Sequence, residues 1–123
     1  MLIEVSNGEI VDKYTILLIK LSKSTDIKQI NNVEREICEL EKVLYEIMPE
    51  GSEDPYYKNL YEVNKKLWVV EDELREKEKT GDFDGEFINL ARSVYKLNDL
   101  RAAIKREINM ATDSYIVEEK VYA

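Results

Sequence analysis

Three polar residues interrupt a face that should otherwise be buried on the last helix predicted from the sequence. Asn98, Arg101 and Lys105 lie there at positions i, i+3 and i+7, and we call them the polar patch. Apolar residues on the same side of the helix indicate burial: Phe87, Val94 and Ile108. A guanidinium group is costly to bury without a partner, so Arg101 requires a carboxylate or access to water.

One interpretation of the polar patch is structural. Asp12 on the first predicted helix, and Glu71 or Asp72 on the third, are the carboxylates expected near Arg101. An interhelical salt bridge of this kind sets the register in which helices pack, and a long basic side chain can also extend along the helix to reach solvent. Such networks are common, which favours this interpretation.

The alternative interpretation is a binding site for a phosphorylated compound or a sugar nucleotide. Arg101 and Lys105 would contact the anion, and Trp68 or Tyr61 would stack on the ligand. The candidate ligand-binding residues are therefore Asp12, Trp68, Glu71, Asn98, Arg101 and Lys105. No residue is predicted to be catalytic, and an enzymatic role is not favoured.

Paired carboxylates raise a third possibility, a Mg²⁺-dependent nucleotide hydrolase. The spacings Glu36-x-x-Glu39 and Glu73-x-x-Glu76 are similar to the metal-binding pattern of all-α nucleoside triphosphate pyrophosphohydrolases, which implies a four-carboxylate cage. However, Glu39 and Glu76 point away from their apolar seams, and the second motif lacks the Asp that ends the family pattern. With 26 acidic residues in the chain, such spacings arise by chance. We therefore predict no metal site and no cofactor.

Composition narrows the classes of function further. The chain of 123 residues contains no histidine, which removes Ser-His and Cys-His catalysis and the usual zinc sites. Its net charge of -8 makes nucleic acid and anionic membrane surfaces poor partners. The longest apolar stretch, residues 14–19, is far shorter than the ~20 residues of a membrane span. The single cysteine, Cys38, is expected to be buried and inert, and it favours a reducing, cytoplasmic location.

Periodicity predicts an all-α fold, an antiparallel bundle of about four helices with coiled-coil-like hairpins. Ser6 and Glu9 have the spacing of a capping box that opens the first helix, which is apolar on two faces and is therefore placed in the centre of the bundle. Asp54 followed by Pro55 begins the third helix, and Gly81 ends it. Three further seams fill the core, in the second helix (Ile30, Val33, Ile37, Leu40, Leu44, Ile47), the third (Leu60, Val63, Leu67, Val70, Leu74) and the fourth (Phe87, Leu90, Ala91, Val94, Leu97, Ile104, Ile108).

The predicted organisation is one helical domain over residues 1–123. Residues 1–5 form a short N-terminal arm, and residues 112–123 form a tail that either lies against the bundle or pairs with residues 2–5. The regular heptads and the aromatic stripe of Tyr57, Tyr61 and Trp68 favour self-association as a homodimer. A protein partner of another kind is also compatible with this pattern.

Three strings of sequence resemble a family of small proteins of unknown function from bacteria and large phages. They comprise residues 5–17, then Leu67-Trp68 with Glu71-Asp72 and residues 81–83, and finally residues 87–109 with 117–120. Members of that family often lie near glycosyltransferase or surface-polysaccharide genes. The resemblance implies a stand-alone helical protein in the cytoplasm of a bacterium or a phage-infected host, and it implies no activity. The strings contain Asp12, Lys13, Trp68, Glu71, Asp72, Arg92 and the polar patch. We therefore expect a non-enzymatic accessory or protein-interaction protein.

Overall fold

A computed structural model describes residues 1–121 and contains four α-helices. They are α1 (Asn7–Lys23), α2 (Ile27–Ile47), α3 (Pro55–Thr80) and α4 (Gly85–Ala111), with a short 3₁₀ turn at Gly51–Glu53. No strand occurs within residues 1–121, so the all-α prediction is confirmed. None of these helices is long and apolar enough to cross a lipid bilayer.

Local capping explains where the helices begin and end. The Ser6 hydroxyl accepts the Glu9 backbone N–H at 3.1 Å, and Asp26, Asp54 and Asp84 cap the other three helices in the same way. Gly81 has a φ of 68°, in the left-handed region that favours glycine, and it ends α3 as the sequence predicted. Asp84 rather than Asp82 is the cap of α4.

The first helix is central, as its two apolar faces predicted. It contacts α2, α3 and α4, and its residues Val11, Tyr14 and Leu17 join one core cluster with residues from the other three helices. The hydroxyl of Tyr14 donates to Glu41 on α2 at 2.8 Å. The predicted seams contribute to this core only in part. Ala91 is exposed, and six other residues expected to fill the core are half-buried outside it: Ile30, Val70, Leu74, Phe87, Leu90 and Val94.

The α3–α4 hairpin extends well past the other helices. α1 has 17 residues and α3 has 26, which correspond to about 25 Å and 39 Å at 1.5 Å per residue. The last fully buried residue of α3 is Leu67 and the first of α4 is Ile104. No residue from 68 to 103 is fully buried, and we call this two-helix segment the hairpin arm.

One expectation about the periphery was wrong, and one of the two alternatives for the tail is observed. Cys38 is exposed rather than buried, because it lies on the outer side of α2, next to the buried Ile37. Residues 2–5 form no strand with the described part of the tail. That part lies instead against α4 and the start of α1, where Ser114 accepts the Asn7 backbone N–H at 2.9 Å and Arg106 pairs with Glu119 at 2.8 Å. Residues 122 and 123 of the predicted tail fall outside the described residues.

Candidate functional site

The polar patch surrounds a buried carboxylate on α1. Asp12 has 1% of its surface exposed and forms a bidentate pair with Arg101, whose Nε donates to Oδ1 at 2.8 Å and whose Nη2 donates to Oδ2 at 2.5 Å. Asn64 on α3 donates its Nδ2 to Asp12 Oδ1 at 3.0 Å. One carboxylate thus ties together three helices. The expected pairing of Arg101 with Asp12 is present.

A row of small and polar residues on α1 makes this arrangement possible. Gly8, Asp12 and Thr15 are all buried and follow one another at helical spacing. A Cβ added at Gly8 would lie 2.9 Å from Asn109 Oδ1 and 3.0 Å from the Lys105 backbone carbon, so only glycine allows α4 this close. The Thr15 hydroxyl donates to the Asp12 backbone oxygen at 2.8 Å and accepts from Asn64 Nδ2 at 3.0 Å.

The other members of the polar patch are also paired. Lys105 Nζ lies 2.7 Å from Glu9 Oε2 and 3.9 Å from Asp12 Oδ2. Glu9 therefore turns to α4 instead of closing the predicted capping box. Asn98 Oδ1 accepts Arg101 Nη1 at 3.3 Å. Among the described residues, no buried side-chain nitrogen or oxygen lacks a hydrogen-bond partner.

A second group of hydrogen bonds fixes the start of α1 to α4 and the tail. Asn109 Oδ1 accepts the Gly8 backbone N–H at 2.6 Å, and Asn109 Nδ2 donates to Glu118 at 3.2 Å. The Ser6 hydroxyl donates to Glu118 at 2.7 Å. Burial raises the pKa of Glu118, but hydrogen bonds from Ser6, the backbone and Asn109 outweigh that effect, and its pKa falls below the ordinary value of 4.5.

Trp68 and Glu71, the two remaining candidate residues, do not join this network. Trp68 is half-buried at the base of the hairpin arm and Glu71 is exposed. The hydrogen bond with Asp12 is the main cause of the raised pKa of Arg101, and Glu71 adds to it only through its charge. The candidate residues predicted from the sequence did not include Asn64, Thr15, Asn109 and Glu118. Asn109 lies one turn beyond Lys105, which is the sequence signal that could have identified it.

A groove of 570 Å³ lies beside the polar patch, between α4 and the tail. Lys105 lines it, but Arg101 and Trp68 do not. Its basic side chains face carboxylates, because Lys105 pairs with Glu9, Arg106 with Glu119, and Lys120 with Asp99. Arg101 is already held by Asp12 in a bidentate pair. The ligand-binding interpretation needs this same guanidinium to contact an anion.

The carboxylates of the hydrolase-like spacings do not form a cage. Among residues 1–121, no three acidic or cysteine side chains are close enough together to hold a metal ion. Glu36 instead pairs with Lys13 at 3.7 Å, Glu39 with Lys42 at 2.9 Å, and Glu76 with Lys79 at 3.2 Å, all on exposed surface.

Comparison with known families agrees with the resemblance seen in the sequence. A family of unknown function (DUF6165) matches residues 1–123. The chain belongs to this family. No curated protein and no solved structure matches it. The hydrogen bonds and ion pairs above give Asp12, Arg101 and Lys105 a role in packing α1 against α4.

Proposed function

We propose that this chain is a non-enzymatic protein-interaction module and that the hairpin arm is its contact surface. One observation is the main support: apolar side chains are exposed along the arm, and the arm contains no fully buried residue. Val69, Ile88, Tyr95 and Leu100 are each between 47% and 55% exposed. Exposed apolar side chains clustered on one segment are typical of contact surfaces.

The state of the polar patch supports the same proposal. A binding site for an anion needs basic groups that are free to reach the ligand. Arg101 is held by Asp12 and Lys105 by Glu9, so the patch is better suited to fixing α1 on the hairpin. In this function the patch keeps the base of the arm rigid while the arm contacts another polypeptide. We expect the protein to act in the cytoplasm of a bacterial or phage-infected cell.

Photocrosslinking in cells tests the proposed surface. A photoreactive phenylalanine analogue is placed at Val69 or at Tyr95 on the arm, and at Val43 on α2 as the matched control, since Val43 is also exposed. We expect a discrete adduct of fixed mass from an arm position and none from Val43. The adduct from Val69 should disappear when Leu100→Ser is added, because Leu100 lines the same groove as Val69.

Equal labelling at Val69, Tyr95 and Val43, or no adduct at either arm position, would contradict the proposal. The ligand-binding alternative is checked in parallel by thermal shift with nucleotides and nucleotide sugars. A ligand that raises the melting temperature of the native protein, but not that of a folded Lys105→Gln variant, would support a binding site at the polar patch.

A further inference from the structure

One face of the hairpin arm carries an apolar groove that lies between lysines and glutamates of α3. The groove, about 650 Å³, is lined by Val69 and Val70 of α3 and by Leu97 and Leu100 of α4. Lys65 and Lys66, one turn before Val69, line it at the base of the arm. Glu62 lines it one turn earlier, and Lys96 lines it from α4. Because this groove is open and apolar, it is suited to contact with another folded surface rather than to enclosing a small molecule.

The acidic end lies farther along the same helical stripe. Glu73 and Glu76 follow Val69 at four and seven residues, so they share its side of α3. They line a neighbouring depression together with Asp72, Lys77 and Glu86. Along α3 the central part of this face therefore runs from the basic Lys65 and Lys66, through the apolar Val69 and Val70, to the acidic Glu73 and Glu76. One residue of opposite charge flanks each end, Glu62 before the lysines and Lys77 after the glutamates.

These end charges have few partners within the described residues. Lys65 lies over the Tyr61 ring, 5.9 Å from its centroid, and neither Lys65 nor Lys66 forms an ion pair. Glu73 also forms none, and Glu76 has only the exposed pair with Lys79. Exposed pairs of this kind contribute little, so Glu76 remains available to a second partner.

A two-fold axis through the Val69–Val70 region makes this face complementary to itself. This axis lies in the plane of contact and is perpendicular to the arm. As a result, α3 of one copy packs antiparallel on α3 of the other. A residue numbered i on one copy then lies opposite a residue numbered near 139 − i on the other. Lys65 and Lys66 of each copy face Glu73 and Glu76 of the other, and the valines meet at the centre. The flanking Glu62 of each copy comes opposite Lys77 of the other, which is also a pair of unlike charges. A parallel arrangement would instead oppose like charges.

We propose that the partner of the hairpin arm is a second copy of this chain, bound antiparallel through the Lys65–Glu76 face of α3 and the adjoining Leu97 and Leu100 of α4. This inference depends on the proposed function, because it names the partner of the same surface. The face from Glu62 to Lys77 is about 22 Å long and two helices wide. The area of this face is below the roughly 800 Å² that each partner buries in a standard interface. Because interfaces of this size are weak, we expect a reversible dimer, which should be studied at about 10–200 μM.

Charge reversal distinguishes this pairing from any other. Two folded variants are made, Lys65→Glu/Lys66→Glu and Glu73→Lys/Glu76→Lys, and their masses in solution are measured by sedimentation equilibrium. Each variant alone opposes like charges in its own dimer, so we expect at least tenfold weaker self-association than in the native chain. Mixed in equal amounts, the two variants oppose unlike charges at both ends. The mixture should therefore recover a dimer of near-native affinity that weakens with added salt.

A control variant reverses charge on a different helix. Lys28→Glu/Lys42→Glu, at exposed positions of α2, should leave the native association unchanged. Any of three results would overturn the proposed pairing. The native protein could stay monomeric at 200 μM, the variants could still dimerise alone, or the mixture could stay monomeric. If the native protein is monomeric but crosslinks from Val69 to a protein of different mass, the arm remains an interaction surface with another partner. If it neither dimerises nor crosslinks, both proposals fail.

Discussion

Removing either half of the Asp12–Arg101 pair should destabilise the fold strongly and unequally. Breaking a buried ion pair by deleting one partner costs about 3–5 kcal/mol, because the other charge is left without compensation. Asp12→Ala leaves a guanidinium whose side chain is 29% exposed and can regain water. Arg101→Met leaves a carboxylate that is 1% exposed, and Lys105 at 3.9 Å replaces only part of the lost attraction. We expect a loss of about 3 kcal/mol for the first and about 4 kcal/mol for the second.

The double variant separates pairing from simple loss of packing. In Asp12→Ala/Arg101→Met neither charge is left behind, so the total loss should be well below the sum of the two single losses. We expect a coupling free energy of about 3 kcal/mol between the two positions. For a chain of this length, a loss of 3 kcal/mol lowers the melting temperature by about 10 °C.

Urea denaturation followed by circular dichroism measures all three variants. The exposed pair of Glu39 and Lys42 provides the control, and Glu39→Ala should change the free energy of unfolding by no more than about 0.5 kcal/mol. Losses that add within about 0.5 kcal/mol would refute the reasoning. They would mean that Arg101 extends to solvent independently of Asp12 and that the patch does not hold α1 on the hairpin.

Four further predictions concern the space at Gly8, the pH dependence due to Glu118 and to Tyr57, and the access of reagents to Cys38. Gly8→Ala should lower the free energy of unfolding by about 2 kcal/mol or more, since the new methyl group meets α4, whereas Gly85→Ala, with open space around it, should leave it unchanged or slightly raised. Because the folded pKa of Glu118 is depressed, its stabilisation is present at neutral pH and is lost as pH falls below 4.5. The urea midpoints of native protein and Glu118→Gln should therefore converge at low pH. Burial raises the pKa of Tyr57 from 10.0 to about 12, and nearby tyrosine and glutamate charges add to this effect. The contribution of the protonated phenol to the stability of the fold should therefore be lost between those pH values. In the titration followed at 295 nm, a late step should be missing in Tyr57→Phe. Cys38 should react fully with a thiol reagent in the folded protein, and slow reaction would show that it is covered.

The helices and much of the core could be predicted from the sequence because their signals are local. Ser6, Asp54 and Gly81 mark helix ends through contacts with backbone only a few residues away. Apolar spacing identified the buried sides of α2 and α3 for the same reason. The arginine on an apolar face of α4 indicated that it needs a carboxylate or water, and Asp12 provides the carboxylate.

The site could be predicted only in part, because its geometry depends on contacts between distant segments. Asp12 was one of three carboxylates compatible with Arg101, and α1 packing at the base of the hairpin selected it over Glu71. Asn64 lies on the aromatic stripe of α3, between Tyr61 and Trp68, where the spacing indicated a contact surface but no partner for an amide. Cys38 looked buried because it adjoins an apolar seam, yet a shift of one residue in a helix turns a side chain by about 100°.

The sequence by itself therefore determined which segments are helical, where they end, and that one central helix packs against the others. Hydrogen bonding within four residues and the 3.6-residue period are enough to specify those features. Only the tertiary structure decided that Arg101 is satisfied by Asp12 and that α3 and α4 continue past the core as an arm. Burial and ion pairing depend on which helices are neighbours. Whether a long helix extends past the core depends on the lengths and positions of the helices that pack against it.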